Sequence, residues 1–228
     1  MSSTNSQVPE DLKARMKESY DAIATEYNSR FVRDDDAIRL DYLERLFQRL
    51  RENGKQDATV LELGCGAGIP GTRTLLENKS PSFSVTANDL STTQIDLAKK
   101  NLEAYSERLT LVQGDMLQLS FEDGSLDAVV GFYSIIHLPR EEQTVLLHKI
   151  AKWLKPDGFL LANFSKEELP VAIDENWLKQ EKGWVFWSGW GSEKTLKIVE
   201  DAGFEVLIKE VKQDVKDAAF LWILAKVK

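Results

Sequence analysis

Two hydrophobic periods alternate along this chain. From Pro9, apolar residues recur at helical spacing (Leu12, Met16, Tyr20, Ile23, Ala24 and Tyr27) and predict a helix with one buried stripe. A second helix is predicted over roughly Asp36–Arg51. Its apolar side carries Ile38, Leu40, Leu43, Leu46, Phe47 and Leu50, and Asn53-Gly54 stops it. The pattern then shifts to short apolar runs, Val60–Leu63, Phe83–Ala87, Leu109–Val112, Leu126–Gly131 and Phe159–Phe164, each predicting a strand. Leu126–Gly131 is apolar enough for a central strand covered on both faces. Between the strands, helices are predicted at Thr72–Glu77, at Thr92–Asn101 behind a Ser91/Gln94 capping box, and at Arg140–Leu154.

The C-terminal end departs from this β/α alternation. A helix near Ser192–Asp201, stopped at Ala202-Gly203, leads into two alternating strands, Phe204–Lys212 and Ala218–Lys226, joined by the polar turn Gln213–Asp217. Strands joined by so short a turn must be antiparallel, because a parallel partner needs a crossover of a dozen residues or more. The chain therefore reads as α/β, a mostly parallel sheet closed by an antiparallel hairpin. Residues 1–7 are small and polar and predict no fixed structure. No second domain or repeat is visible, so 1–228 reads as one domain, with residues 8–55 as N-terminal helices.

The chemistry concentrates in Thr59–Leu75. An apolar strand containing Glu62 turns on Gly64, Gly66 and Gly68, and a helix opens after Pro70. Glycines at alternate positions let the backbone approach a ligand closely, and a helix start presents free N–H groups. Strand, glycine turn and helix together describe the first unit of a nucleotide-binding sheet. Two registers compete. Gly66, Gly68 and Gly71 fit the dinucleotide pattern, with Asp89 about where a ribose-binding acid belongs.

The other register, Glu62-x-Gly64-x-Gly66-x-Gly68, resembles the glycine loop of the class I S-adenosylmethionine (SAM) methyltransferases. Tyr20-Asp21-x-Ile23-Ala24-x-x-Tyr27 resembles the segment that closes over the cofactor in many small-molecule members, and Gly114-Asp115-Met116 resembles the family's step after strand three. The likeness runs from about Leu12 to Lys226 and implies a seven-stranded sheet with one reversed strand, an N-terminal helical lid, SAM as cofactor and S-adenosylhomocysteine (SAH) as product. It implies cofactor contacts from Glu62, Gly64, Cys65, Gly66 and Gly68, from Asp89 and Leu90 at the ribose, from Asp115 and Met116 at the adenine, and from Tyr20, Tyr27 and Phe132. Asp157 stands where the family usually has the first of two glycines. Plainer roles compete at several of these positions: a core stripe for Tyr20 and Tyr27, turn residues for Asp89 and Asp115, and a small residue that fits for Cys65.

By the same resemblance, Phe132–Pro139 is where the transferable methyl faces the substrate. His137 is the best general-base candidate there, because an unperturbed imidazole titrates near neutrality; the alternative is a cap on the helix starting near Arg140. Tyr133 is expected to orient substrate or touch the cofactor, and His148 reads as structural. From Ser165 to Ser192 the β/α pattern breaks and four of the six tryptophans appear: Trp177, Trp184, Trp187 and Trp190. The expectation is a lid that walls an apolar or aromatic substrate with Trp184 and Trp187; the alternative is a satellite core beneath a long loop.

Bulk properties narrow the function classes. With 29 basic and 37 acidic residues, the formal charge is −8, which argues against a nucleic-acid partner. No window approaches a membrane span, and the start MSSTNSQVPEDLK lacks the apolar core of a secretory signal. The single cysteine excludes an internal disulfide and a cysteine-based zinc site, and no acid or histidine cluster has metal-ligand spacing, so no metal is expected. The expectation is a cytoplasmic monomer or homodimer that moves a methyl group from SAM to O, N or S of a small, apolar or aromatic molecule. A SAM-binding protein using the pocket otherwise, and a nicotinamide oxidoreductase, are the alternatives; the C-terminal hairpin counts against the latter.

Overall fold

The computed structural model describes residues 7–33, 35–215 and 218–228. The expected disorder of residues 1–6, and positions 216–217 of the expected Gln213–Asp217 turn, lie outside the described residues. Five parallel strands form first: β1 (Asp57–Leu63), β2 (Ser82–Asp89), β3 (Leu109–Gln113), β4 (Leu126–Gly131) and β5 (Leu154–Ser165). Two long strands end the chain, β8 (Phe204–Val215) and β9 (Ala218–Val227), after a small separate hairpin of β6 (Glu168–Asp174) and β7 (Val185–Trp190). The main sheet is seven-stranded, ordered β3-β2-β1-β4-β5-β9-β8, and β9 runs antiparallel to both of its neighbours. The one reversed strand is thus present as expected.

Among the described residues, six α-helices accompany the strands: α1 (Leu12–Phe31), α2 (Ala37–Glu52), α3 (Gly71–Glu77), α4 (Thr92–Asn101), α5 (Arg140–Trp153) and α6 (Ser192–Asp201). Alternation along the central strands divides the interior into two cores. Val60, Val85, Val130 and Trp222 face α2 and α3, where Tyr42 stacks on Trp222 with ring centroids 4.4 Å apart. Leu61, Val129, Leu160 and Ile223 face α5 and α6 on the other side. All six residues of β4 are buried, which is why its sequence is a continuous apolar run. Asp127 is the exception that fits: at the end of the sheet away from the glycine loop, it accepts from the Thr59 N–H and pairs with Lys55 and Lys155 at 2.7 Å each.

The structure differs from the sequence expectation in two places. β5 runs through Lys155-Pro156-Asp157-Gly158 with a register break instead of starting after it, and Asp157 takes φ +62 there, a conformation aspartate tolerates better than most residues. The Ser165–Ser192 segment is a hairpin with a short 3-10 helix, Trp177–Lys179, between its strands, rather than an irregular long loop. Pro170 lies at the break in register between Leu169 and Ala172, where a missing N–H is tolerated.

Candidate active site

The site sits at the carboxyl ends of β1, β2 and β4, beneath α1. The chain leaves β1 and turns through Gly66, which adopts φ +54; a Cβ there would meet nothing nearer than Gln94 Oε1 at 4.0 Å. This glycine therefore opens onto a cavity, where a side chain would project. Its N–H donates to Asp89 Oδ2 and the Ser91 N–H donates to Asp89 Oδ1, both at 2.8 Å. The Asp89 carboxylate is thereby fixed at the end of β2, with lone pairs left for a second partner on each oxygen. Burial pushes it up to about 6, against the pull of these two amide bonds.

The inner cavity brings together Gly64, Gly66, Asp89 and Leu90, then Asp115, Met116 and Phe132, with Tyr20, Tyr27, Tyr133 and His137 at its outer end. Asp115 also caps the short turn after it, accepting from the Leu117 N–H at 3.0 Å, so the turn role and the cavity role coexist. Sequence reasoning did not select Lys13, Met16, Gln94 or Ser134, which also line this cavity.

Glu62, Cys65 and Gly68 do not line it. Glu62 is buried beneath the loop, accepts from Thr72 Oγ1, and is pushed up to about 7 by burial. A Cβ at Gly71 would overlap Glu62 Oε1, so this glycine is what lets α3 pack onto the acid. The Cys65 N–H donates to the Asn88 carbonyl at 2.9 Å, and burial pushes its thiol up, leaving it neutral and unreactive. Gly68 packs its open side against Leu102. These three residues shape the loop from behind.

Helix α1 roofs the cavity, held by its apolar stripe on one side and by polar contacts along the other. Asp21 accepts from Ser91 Oγ at 2.6 Å and from the Thr93 N–H at 3.0 Å, which seats α1 on the start of α4. Asn28 and Gln94 exchange two hydrogen bonds of 3.2 Å, and Lys13 reaches Glu142 at 2.7 Å. With α1 in place the inner cavity is a narrow slot of about 90 Å³.

A wider outer cavity of about 550 Å³ adjoins it. Tyr20, Tyr27, Tyr133 and His137 border both and form the aperture between them. Tyr133 holds φ +54 there, and its N–H donates to Asn163 Oδ1 on β5 at 2.6 Å. A bulky residue kept in the left-handed region at a cavity mouth is the kind of strain that accompanies function. Asn163, fully buried, was not legible as a site residue.

Both His137 nitrogens are engaged. Nδ1 lies 2.8 Å from the Phe186 carbonyl, which can only accept, so Nδ1 carries the proton and the Nε2 lone pair accepts from Tyr20 O–H at 3.0 Å. Burial lowers the imidazole to about 4. The expected alternative, a cap on the following helix, is not what this side chain does; α5 has Pro139 at its N-cap and no side-chain cap.

The tryptophans divide. Trp187 lines the outer cavity, with its ring 6.4 Å from that of His137, and Trp177 joins it there with ring centroids 5.8 Å apart. Trp184 does not line either cavity: it is 5% exposed, packs with Leu12 and Met16, lies under the Arg15 guanidinium, and its backbone N–H donates to Ser19 Oγ at 2.8 Å. Its expected substrate contact is corrected to a role docking α1 on β7. The satellite-core alternative thus describes Trp184, while Trp187 faces the outer cavity. Among the described residues no group of histidine, cysteine, aspartate or glutamate side chains could hold a metal ion.

A family model for a methyltransferase domain matches residues 60–158, from β1 through the turn inside β5. Over this stretch, which holds the glycine loop, Asp89 and Asp115, the chain is similar to a methyltransferase domain. Among solved structures, the Burkholderia thailandensis 1,6-didemethyltoxoflavin-N1-methyltransferase, with bound 1,6-didemethyltoxoflavin and SAH, shares this fold across 97% of this chain and 91% of its own, at TM-score 0.74 and 18% identity. Curated relatives include the sterol 24-C-methyltransferase erg6 of Aspergillus fumigatus, 27% identical over 181 residues (72% of this chain, 44% of the relative). The Gallus gallus tRNA N(3)-cytidine methyltransferase METTL2 is 32% identical over 106 residues (45% and 29%). The chain spans less than half the length of either curated relative.

Proposed function

We propose that this protein binds SAM in the inner cavity and transfers its methyl group to an O, N or S nucleophile of a small, apolar or aromatic molecule in the outer one. The observation that carries this reading is the aperture: one cavity with a glycine floor and an acid at the end of β2 opens, past Tyr20, Tyr27, Tyr133 and His137, into a second cavity lined with aromatic rings. The residues present fit the cofactor. Gly66 leaves open the space its Cβ would fill, and Asp89 offers a fixed carboxylate to a pair of ribose hydroxyls. Gly64, Leu90, Asp115, Met116 and Phe132 would surround the rest, with Tyr20 and Tyr27 above.

When bound, SAM supplies a methyl group already activated by its sulfonium charge. The chain's part is to align the nucleophile, exclude water and, for some acceptors, take a proton. Tyr133 and Trp187 would orient an aromatic acceptor, and the docked α1 would keep water from the aperture. Because its Nε2 is already accepting and its basicity is low, His137 serves in this reading to hold Tyr20 at the aperture. A phenolic or thiol acceptor that ionises readily needs no stronger base.

The relatives divide between a sterol and a tRNA substrate. A charge of −8 and an aromatic outer cavity favour the small molecule over a polyanion. No helix among the described residues is long and apolar enough to cross a membrane, and with a single cysteine the reading places the protein in the cytoplasm. Transfer of labelled methyl from SAM to members of a panel of phenols, amines, thiols and carboxylates is the expected result. SAH binding without transfer to any of them would instead indicate another use of the same pocket, and no SAH binding would remove the reading altogether.

A further inference from the structure

We infer that the acceptor is an aromatic molecule bearing an oxyanion, of carboxylate or phenolate type, and that Arg39 receives that charge. This rests on the methyl-transfer reading of the two cavities and names the substrate class it leaves open. The walls of the outer cavity are rings, Phe31, Trp177, Trp187 and Phe220, yet four charged residues also reach it: Arg33, Asp36, Arg39 and Asp174. By formal charge they cancel. By hydrogen-bonding capacity they do not.

Both acids are already in use. Asp36 Oδ1 caps α2 by accepting the Arg39 N–H at 3.0 Å, and Asp174 Oδ1 accepts the Asn176 N–H at 2.9 Å. The guanidiniums keep most of their donors. Among the described residues, Arg39 has one ionic contact, Asp36 Oδ2 at 3.4 Å, and its buried Nε has no hydrogen-bond partner. Arg33, exposed at the cavity mouth, forms no ion pair among the described residues. A buried N–H left unpaired is costly, and an arginine fork is the group best matched to a planar oxyanion.

The position of Arg39 specifies more than charge. Its guanidinium lies over the Phe132 and Tyr133 rings, 5.6 and 5.2 Å from their centroids, so it is held beside the aperture rather than reaching into solvent. An anion paired with it sits close to where the nucleophile must be, on the same ring or on a neighbouring substituent. The net charge of −8 works against anion binding in general, which makes two arginines with donors to spare at this one cavity a local device.

Calorimetry on the SAH-saturated protein tests this with two matched probe pairs, salicylate against salicylamide and anthranilate against 2-aminobenzamide. The expected result is that each carboxylate binds about tenfold tighter than its amide, and that Arg39→Gln brings the ratio close to one while SAH affinity stays within about twofold. Arg39→Lys, which keeps the charge and loses the fork, gives an intermediate ratio and serves if the Gln variant does not fold. Amides that bind the wild type as well as the carboxylates do, a ratio that survives loss of the guanidinium, or no carboxylate binding up to millimolar concentration would each overturn the inference. Absence of SAH binding would count against the methyl-transfer reading itself, so the two failures are distinguishable.

Discussion

The Tyr20 hydroxyl donates to His137 Nε2 at 3.0 Å, and that bond ties the roof helix to the segment beyond β4. The tautomer that permits it is set from a third element, because the Phe186 carbonyl on β7 holds the proton on Nδ1. Three segments distant in sequence therefore meet at one imidazole. Tyr20→Phe keeps the ring but removes the donor, a loss of about 1 kcal/mol of docking. Helix α1 should then open more often: its amides exchange faster, and SAH dissociates about fivefold faster by stopped flow. Unchanged exchange across residues 12–31 would show that the hydroxyl does not hold the roof.

The buried titratable groups make stability depend on pH in opposite directions. His137 is lowered by burial from 6.5 to about 4, so between those values the unfolded chain binds more protons and stability rises with pH. Glu62 is raised by burial from 4.5 to about 7, so in that window the folded chain binds more protons and stability falls as pH rises. The two largely offset in the wild type. Single variants separate them: urea denaturation from pH 4.5 to 7.5 should show His137→Gln losing the rising component and Glu62→Gln the falling one, each up to roughly 3 kcal/mol. Parallel curves for all three proteins would mean that neither group is shifted.

Gly66, in the loop, and Gly71, at the start of α3, should fail differently. A valine at Gly66 projects into the inner cavity, so SAH affinity should drop by more than tenfold by calorimetry, with a stability loss of only about 1–2 kcal/mol from the left-handed backbone. An alanine at Gly71 collides with the buried Glu62 carboxylate and should lower the melting temperature first. Unchanged SAH affinity in the Gly66 variant would remove the cofactor from this loop.

Asp89 gives the cofactor reading its own pH signature. Its carboxyl is raised by burial to about 6, and only the ionised form accepts from two hydroxyls while retaining its loop amides. SAH affinity should therefore weaken as pH falls below about 6, and Asp89→Asn should cost about 1.5–3 kcal/mol at neutral pH and flatten that dependence. A wild-type affinity that is constant from pH 5 to 8 would place the ribose elsewhere.

Local features were the legible ones. Helical stripes, apolar strands and the glycine turn each write their period into a few consecutive residues, so the order of the sheet elements and the place of the glycine loop could be read from the sequence, while Lys13, Met16, Gln94 and Ser134 on the cavity wall could not. Glu62 was read as a cofactor contact and Gly71 only within the rival dinucleotide register, because their mutual packing across the strand–helix junction leaves no periodic trace. β6 was hidden by Pro170, which breaks a strand signal without preventing an edge bulge. The state of His137 depends on Tyr20 and Phe186, 117 and 49 residues away, and Asn163 reads as one polar residue in an apolar strand. Tryptophan density located the outer cavity but could not say which rings face it.

That last distinction is the most direct test of the outer cavity. Trp187 and Trp184 lie three residues apart on and before one strand, yet Trp187 lines the cavity with Trp177 while Trp184 is packed against Leu12, Met16 and Arg15 behind it. If the outer cavity holds the acceptor, Trp187→Ala should raise its KM or lower kcat while SAH affinity stays within a few-fold, because only a wall of that cavity is removed. Trp177→Ala should behave the same way. Trp184→Ala removes a buried ring from the contact between α1 and β7, so it should cost about 3–5 kcal/mol of stability and loosen the roof without a selective effect on acceptor KM. The pattern matters more than any one value: a melting-temperature loss at Trp184 paired with an acceptor-specific defect at Trp187 and Trp177. If Trp187→Ala proved as active as the wild type on an accepted substrate, the aromatic wall would not be where the acceptor binds.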